Sequence, residues 1–556
     1  MEKIWLSSYS PGVPFEIDLG QIESIPHFFK EMASKYTERS AFISGATGEK
    51  LSYKKLDEMS DDVAAYLQEK MNLPIGSRVG LMMPNLLQYP VCLLGVLKAG
   101  CIAVNINPQY TGRELKHQLD DSQTEAIIIV ELFAHTLDKI ISTTRIKHVI
   151  VTGLADMVSQ PKRFLANFVI RHVKKLIPEY SLPGSVSFLS ALKQAANCTL
   201  SKPSLTLDDI AFLQYTGGTT GVSKGAMLSH KNILSSMKQG EVWSAPFIDT
   251  NEIQLTVTAI PLYHIYALGF SLGFMAWGGA NVLVSDPRNT GAFIKVLRAY
   301  QFTCIPAVNT LFNSLVNHPD FKLINFSKLR VAFGGGTTIQ RPVAEKWQEI
   351  TKSPLCEGYG LTECSPNVAF NPFDITEYTG TIGLPIPSTD VVIRNALGED
   401  VPLGEIGELC VKGPQVMKGY WNRPEETTSA FTADGYLKTG DIATMDHKGF
   451  IKIVDRLKDM VIVSGFNVYP TEIEEVVQMH PGVFEVACVG KADAKTGEAT
   501  KIFVVKKDPD LTTDDLIKHC RENLTNYKVP REIVFMETLP KSQVGKILRR
   551  ELRDLA

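Results

Sequence analysis

Residues 215–225 hold four glycines and three threonines in eleven positions, with Lys224 just before the last glycine. The residues before them, 210–214, read as a strand. Glycine lacks Cβ, so successive backbone N–H groups can turn toward one centre without clashing. Threonine hydroxyls add donors or a metal-facing oxygen, and the lysine adds a mobile positive charge. A strand that empties into such a loop is suited to phosphate. The run departs from the Walker A pattern, because Gly225 stands where that loop has serine or threonine. The candidate cradle is Tyr215, Thr216, Gly217, Gly218, Thr219, Thr220, Gly221 and Lys224.

The surrounding chain predicts an α/β fold. Short β-rich runs at 78–83, 103–104, 125–130 and 146–152 alternate with helical patterns, and the texture resumes over 255–350. That alternation predicts βαβ units on parallel-rich sheets. Residues 388–418 change to short β pieces punctuated by glycine turns, which suggests a small β-barrel-like part. The charged run 455–459 then separates two apolar runs, and about 100 residues of α+β pattern follow. The expected organisation is an N-terminal α/β domain over 1–454, with a β-rich subdomain at about 385–454. A break at 455–458 leads to a small α+β domain over 459–556.

Composition excludes several classes. A formal net charge of -3 gives no bulk electrostatic case for nucleic acid. Nine cysteines form no C-x-x-C pair, so neither a zinc site nor a secreted disulfide framework is expected. The N-terminus lacks the basic and apolar regions of a signal peptide. Residues 253–285 carry no Asp, Glu, Lys or Arg, but Pro261, His264, Gly278 and Gly279 interrupt them. They read as a buried strand, a core helix and another strand rather than a membrane span. Residues 162–177 form a basic helical stretch bearing Phe164, Leu165, Phe168, Val169, Val173 and Ile177. It reads either as an ordinary surface helix or as one lying on an anionic membrane surface.

Two further segments complement the phosphate loop. Tyr359-Gly360-Leu361-Thr362-Glu363 joins an aromatic face to a carboxylate across a flexible glycine, and Thr439-Gly440-Asp441 puts an acid after a turn. With Arg456 they supply a purine platform, a magnesium ligand, a ribose acceptor and a second cation, which is an inventory for ATP.

On these motifs the chain resembles the adenylate-forming acyl-CoA synthetases, most nearly the bacterial long-chain fatty-acid–CoA ligases, from about Thr37 to Arg550. The resemblance implies ATP, Mg2+ and coenzyme A as reactants and cofactor. Thr219 and Lys224 would work on the phosphates, and Thr219 with Glu363 would meet the metal. Gly335 and Gly336 fall in the turn beside adenine and the substrate carboxylate. Glu357, Gly358, Tyr359 and Thr362 belong to the adenine and magnesium motif, with Tyr359 stacked on the base. Asp441 and Arg456 would hold the ribose. His264, in a Pro-x-x-His segment, would stand at the carboxylate end of the acyl pocket, whose walls are expected from residues 266–277 and 309–312. Lys458 would be the hinge of a mobile C-terminal domain, residues 463–467 would line the pantetheine path, and Lys546 would be the catalytic lysine. The departures are Ser223, where many members have proline, and Leu268, where some long-chain members have a gating tryptophan.

The implied reaction activates a long-chain fatty acid to an acyl-adenylate and passes it to coenzyme A, releasing AMP and diphosphate. A medium-chain or aromatic acid–CoA ligase, and a ligase loading a carrier protein, stay open at this point. So does an oxygen-using, light-emitting adenylating enzyme. The expected location is cytoplasmic, partly peripheral on the inner face of the cell membrane through lipid contact, with a homodimer left open.

Overall fold

The computed structural model describes residues 3–216, 223–249, 251–493, 495–542 and 545–555. Gly217, Gly218, Thr219, Thr220 and Gly221 of the predicted cradle therefore lie outside the described residues.

The strand Ala126–Val130 is wholly buried. Its Ala-Ile-Ile-Ile-Val sequence is apolar on both faces, and such a strand needs cover on both sides. It pairs in parallel with Arg78–Met82 and His148–Thr152. The sheet continues through Ile102–Asn105 to Ile210–Thr216, still parallel. Lys224–Ser229 then closes that edge, pairing antiparallel with Ile210–Thr216. A second sheet has a parallel centre made of Ser40–Ser44, Ala280–Leu283, Leu255–Thr258, Cys304–Ala307, Val331–Gly334 and Leu355–Gly360. One apolar cluster takes in residues of both sheets, among them Ile128 and Phe333. The helix Gln88–Lys98 belongs to this core, and all its residues are buried.

Residues 253–285 form the expected strand, helix and strand: Leu255–Thr258, Ile265–Phe274 and Ala280–Leu283. No helix among the described residues is long and apolar enough to cross a membrane. The β-rich part takes the form of an antiparallel sheet of Asp390–Arg394, Gly407–Lys412, Leu437–Met445 and Ile451–Arg456. Beyond it, Val461–Val463, Phe466–Val468, Val483–Asp493, Gly497–Lys506 and Glu532–Met536 build a separate mixed sheet with its own apolar cores. The helices Pro470–Gln478 and Thr513–Asn523 pack with it.

Two elements differ from the sequence expectation. The charged run at 455–459 is not all turn: Asp455 and Arg456 finish the strand Ile451–Arg456. Asp455 is held there because its carboxylate accepts from Thr471 N at 2.8 Å and from Arg456 N at 2.7 Å. The basic stretch at 162–177 is shorter than one continuous α-helix. It is α-helical over Lys162–Phe168 and widens into a π-turn over Val169–Val173, where Arg171 pairs with the buried Glu131.

The parallel strands Ile210–Thr216, Leu255–Thr258, Val331–Gly334 and Leu355–Gly360 all lead, at their carboxyl ends, into segments singled out above. Open α/β sheets place their ligand crevices at that edge.

Candidate active site

Glycines let the strand ends crowd together. A Cβ on Gly358 would stand 2.3 Å from the Phe333 ring, and one on Gly335 would stand 3.3 Å from both Gly358 O and Tyr266 Cζ. Gly336 takes φ +77°, a conformation that side chains disfavour, and so carries the chain through the turn. Tyr266 buttresses this turn, donating from its hydroxyl to Phe333 O at 2.9 Å.

Around the turn the structure gathers residues that are remote in sequence. Asp441 and Arg456 are register partners on neighbouring antiparallel strands, with Arg456 Nε 3.3 Å from Asp441 Oδ1. Asp441 Oδ2 accepts from the Tyr359 hydroxyl at 2.5 Å. Glu363 follows Thr362 in a single 3-10 turn, and its Oε1 accepts from the Tyr420 hydroxyl at 2.8 Å. The ring of the same tyrosine lies 4.9 Å from Lys224 Nζ. Tyr420 therefore joins the phosphate-loop lysine to the candidate metal carboxylate. It was not legible in the sequence, because Gly419-Tyr420-Trp421 has no charged or polar pattern and Glu363 stands 57 residues away.

Lys546 arrives from the C-terminal sheet's side of the chain. Its Cε comes within 3.6 Å of the point a Cβ on Gly336 would occupy. Burial, reinforced by the positive Arg456, lowers its pKa to about 8, against the opposing pull of Asp441 and Glu363. His264 lies in the same field: burial first, then the Lys546 charge, bring its pKa down to about 3. The imidazole is therefore neutral. Its Nδ1 accepts from Tyr266 N at 3.3 Å, capping the helix Ile265–Phe274 and leaving the proton on Nε2.

Other predicted residues serve the scaffold. Tyr215 is buried, and its hydroxyl donates to Asp121 Oδ2 at 2.7 Å. Thr216 and Lys224 are paired across the hairpin mouth. The Glu357 side chain points into the core, accepting from Ile339 N at 3.1 Å and from the Tyr378 hydroxyl at 3.2 Å. Burial pushes its pKa up to about 8. Lys458 is exposed in the turn just beyond the strand Ile451–Arg456.

An apolar cleft begins where Tyr266 and Phe333 meet the glycine turn. Its walls are Tyr266, Gly269, Phe270, Gly273 and Phe274 from the helix Ile265–Phe274, Trp277 from the 3-10 turn that follows it, and Met237, Gly240, Glu241 and Ser244 from the helix His230–Ser244. Both sets repeat at helical spacing, so each helix offers one face. The cleft leaves about 770 Å³ of empty space, its open mouth and adjoining solvent included. Residues 309–312, expected in this wall, do not line it. Phe312 is turned onto Trp347 at 4.9 Å between ring centres, and Thr310 faces Gly545. Leu268 is also turned away, lining a separate small apolar pocket together with Tyr89 and Leu93.

With this geometry in hand, comparison with known proteins is specific. A family described as AMP-binding enzyme matches residues 29–421, and the AMP-binding enzyme C-terminal domain matches residues 472–546. The long-chain-fatty-acid–CoA ligase of Escherichia coli O6:H1 is 52% identical over 557 aligned positions, covering 100% of this chain and 99% of that one. Among solved structures, ATP-bound MatB from Rhodopseudomonas palustris has a TM-score of 0.78 and 25% identity, covering 96% of this chain and 99% of the other. The anthranilate CoA ligase AuaEII with anthranoyl-AMP has a TM-score of 0.84 at 23% identity, covering 97% and 98%. At that identity the likeness concerns the fold.

The electrostatics of the cleft give a direct prediction. Quantitative amine labelling against pH should find Lys546 titrating near pH 8 rather than with the bulk lysines near about 10.4. Because Asp441 raises this pKa, Asp441→Asn should lower the midpoint further. A midpoint with the bulk lysines would mean that Lys546 does not enter the cleft in solution.

Proposed function

From the premise that the chain belongs to the AMP-binding enzyme family, we propose that it activates long-chain fatty acids with ATP and transfers the acyl group to coenzyme A. The observation that carries the reading is the insertion of Lys546 between the Gly336 turn, Glu363, Asp441, Arg456 and His264. A cation held beside carboxylates and a glycine turn at the carboxyl ends of the strands suits a site where anionic reactants meet.

In the first half-reaction the substrate carboxylate attacks the α-phosphorus of ATP and diphosphate leaves. Both reactants are anions, so offsetting charge and holding them in line supply most of the rate. Lys546 lies against the Gly336 turn, where the carboxylate and α-phosphate meet, and Lys224 serves the outgoing phosphates. His264, neutral and protonated on Nε2, donates to the fatty-acid carboxylate and orients it. Tyr359 offers its ring to adenine, Asp441 and Arg456 take the ribose, and Thr362 faces the α-phosphate. The cradle residues at 217–221, which lie outside the described residues, would add the remaining phosphate contacts.

The residues also fit Mg2+ carried on the nucleotide. No group of three or more ligating His, Cys, Asp or Glu side chains stands among the described residues. Magnesium bound through phosphates needs only one or two carboxylates. Glu363, aimed by Tyr420, would supply one; Thr219, the other oxygen the resemblance implies, lies outside the described residues. When bound, the ion offsets negative charge on the phosphates.

Lys546 acts as a cation, so adenylation should fall as pH rises through about 8. In the second half-reaction the thiol attacks the mixed anhydride. Residues 459–556 turn about Lys458, withdrawing Lys546 and bringing residues 463–467 to the pantetheine path. That hairpin has exposed Ile462 and Phe466 and a positive φ at Ser464 and Gly465.

The acyl chain fits the cleft between the helices His230–Ser244 and Ile265–Phe274. A Cβ on Gly273 would find its nearest neighbour, Met237 Cα, at 4.0 Å, so the glycine leaves room rather than filling it. Each buried methylene is worth about 0.8 kcal/mol, so an apolar cleft selects chain length without polar contacts. In an AMP-release assay with an acid panel, C12–C18 acids should exceed acetate and benzoate, with AMP and diphosphate as products. Gly273→Leu should move the optimum to shorter acids. Excluding four methylenes costs roughly 3 kcal/mol, or about a hundredfold in kcat/KM for the long acids. Release of ADP and phosphate would sink adenylation, and a benzoate optimum would sink the long-chain reading alone.

Membrane contact is the last part of the proposal. Phe164, Leu165 and Val173 are 74%, 64% and 65% exposed, beside exposed Lys162, Lys174 and Lys175. Apolar side chains among lysines suit an anionic lipid surface. Replacing Lys174 and Lys175 by glutamate should weaken co-sedimentation with phosphatidylglycerol vesicles severalfold. Unchanged binding would reduce the segment to an ordinary surface helix.

A further inference from the structure

We propose that the helix Asn309–Val316 is a latch for the adenylating arrangement of the two domains, with Thr310 and Asn313 as its contact residues. The inference rests on the function proposed above, in which Lys546 serves only the first half-reaction.

The helix has two distinct faces. Phe312, Leu315 and Val316 are turned into a core that includes Trp347. Thr310 and Asn313, three residues apart and so on one side, meet the C-terminal domain instead. Thr310 Oγ1 donates to Gly545 O at 3.1 Å, and Asn313 Nδ2 donates to Phe484 O at 3.3 Å. Both acceptors are backbone carbonyls, so the helix reads the position of the domain and not its side chains.

Two features make these contacts specific to the docked state. A Cβ at Gly545 would come within 2.5 Å of Thr310 Oγ1, so only glycine admits this approach, and Gly545 immediately precedes Lys546. Asn313 is only 5% exposed although its amide is polar. A buried amide needs partners. Its Oδ1 accepts from Asn317 Nδ2 at 2.8 Å, and its Nδ2 is satisfied by the other domain's Phe484.

The helix is also tied to the catalytic turn. Asn309 N donates to Thr337 Oγ1 at 3.3 Å, and Asn309 Oδ1 accepts from Gln340 N at 3.0 Å. One short stretch therefore fixes the Gly336 turn and the height at which Lys546 enters beside it. Thr310 and Asn313 touch no reactant in this scheme, so they are positioning residues.

The test uses the full chain and separates the two half-reactions. Single-turnover acyl-adenylate formation from ATP and palmitate reports the first. Thioester formation from chemically made palmitoyl-adenylate and coenzyme A reports the second, and reports correct folding as well. Thr310→Val with Asn313→Ala should slow adenylate formation about tenfold, as expected for two lost hydrogen bonds. Thioester formation should stay within about twofold. Thr310→Ser keeps the hydroxyl and should restore adenylation when Asn313 is intact. Equal losses in both steps, or unchanged adenylation in the double variant, would overturn the latch. A wild-type protein that forms no adenylate removes the function reading, and the latch with it.

Discussion

The arrangement depends on one partly buried ammonium, that of Lys546. Moving a lysine from water into a cleft costs free energy, and the lowered pKa of Lys546 reflects that cost. Asp441 and Glu363 offset part of it, while Arg456 works the other way. Such a cation is poised for negative charge that arrives later. Burial first, and the Lys546 charge after it, keep His264 neutral, so the residue proposed for the carboxylate end offers a hydrogen bond rather than a second charge. Positive charge is thereby concentrated where the proposed reaction would bring phosphate.

The rest of the scaffold brings backbone close enough for one lysine to reach. Parallel strands end together at one edge, and glycines at 335, 336 and 358 remove the side chains that would hold their loops apart. Tyr420 links the two sides of the phosphate region, its ring toward Lys224 and its hydroxyl on Glu363. Beside this polar edge lies the proposed acyl cleft, where Gly240 and Gly273 leave space between two helices while Gly269 admits the close approach of Pro366. A polar reaction edge and an apolar tail site thus share Tyr266 and Phe333 as their common wall.

Much of the fold was legible because local pattern and burial agree. The all-apolar run at 126–130 had to be a covered strand, and the uncharged stretch at 253–285 folds as the strand, helix and strand it suggested. Side-chain direction was less legible. Tyr215, Glu357 and the residues at 309–312 occur in segments that border the site, yet their side chains face Asp121, Ile339 and the Trp347 core or the C-terminal domain. Membership in a motif locates a residue along the chain to within a turn. A rotation of about 100° per residue on a helix then decides which neighbour it meets.

By itself the sequence determined the chemistry available: a glycine-threonine loop with its lysine, a carboxylate after an aromatic-glycine turn, an acid after another turn, and a lysine near the C-terminus. These are local facts, written in residue type and short spacing. Only the tertiary structure decided that Asp441 faces Arg456 across two strands, that Tyr420 serves both Lys224 and Glu363, and that Thr310 meets Gly545. The reason is physical. Contacts between distant segments are fixed by sheet register, by which helix face the core claims, and by how closely two domains can approach. None of these is a property of any short stretch of chain.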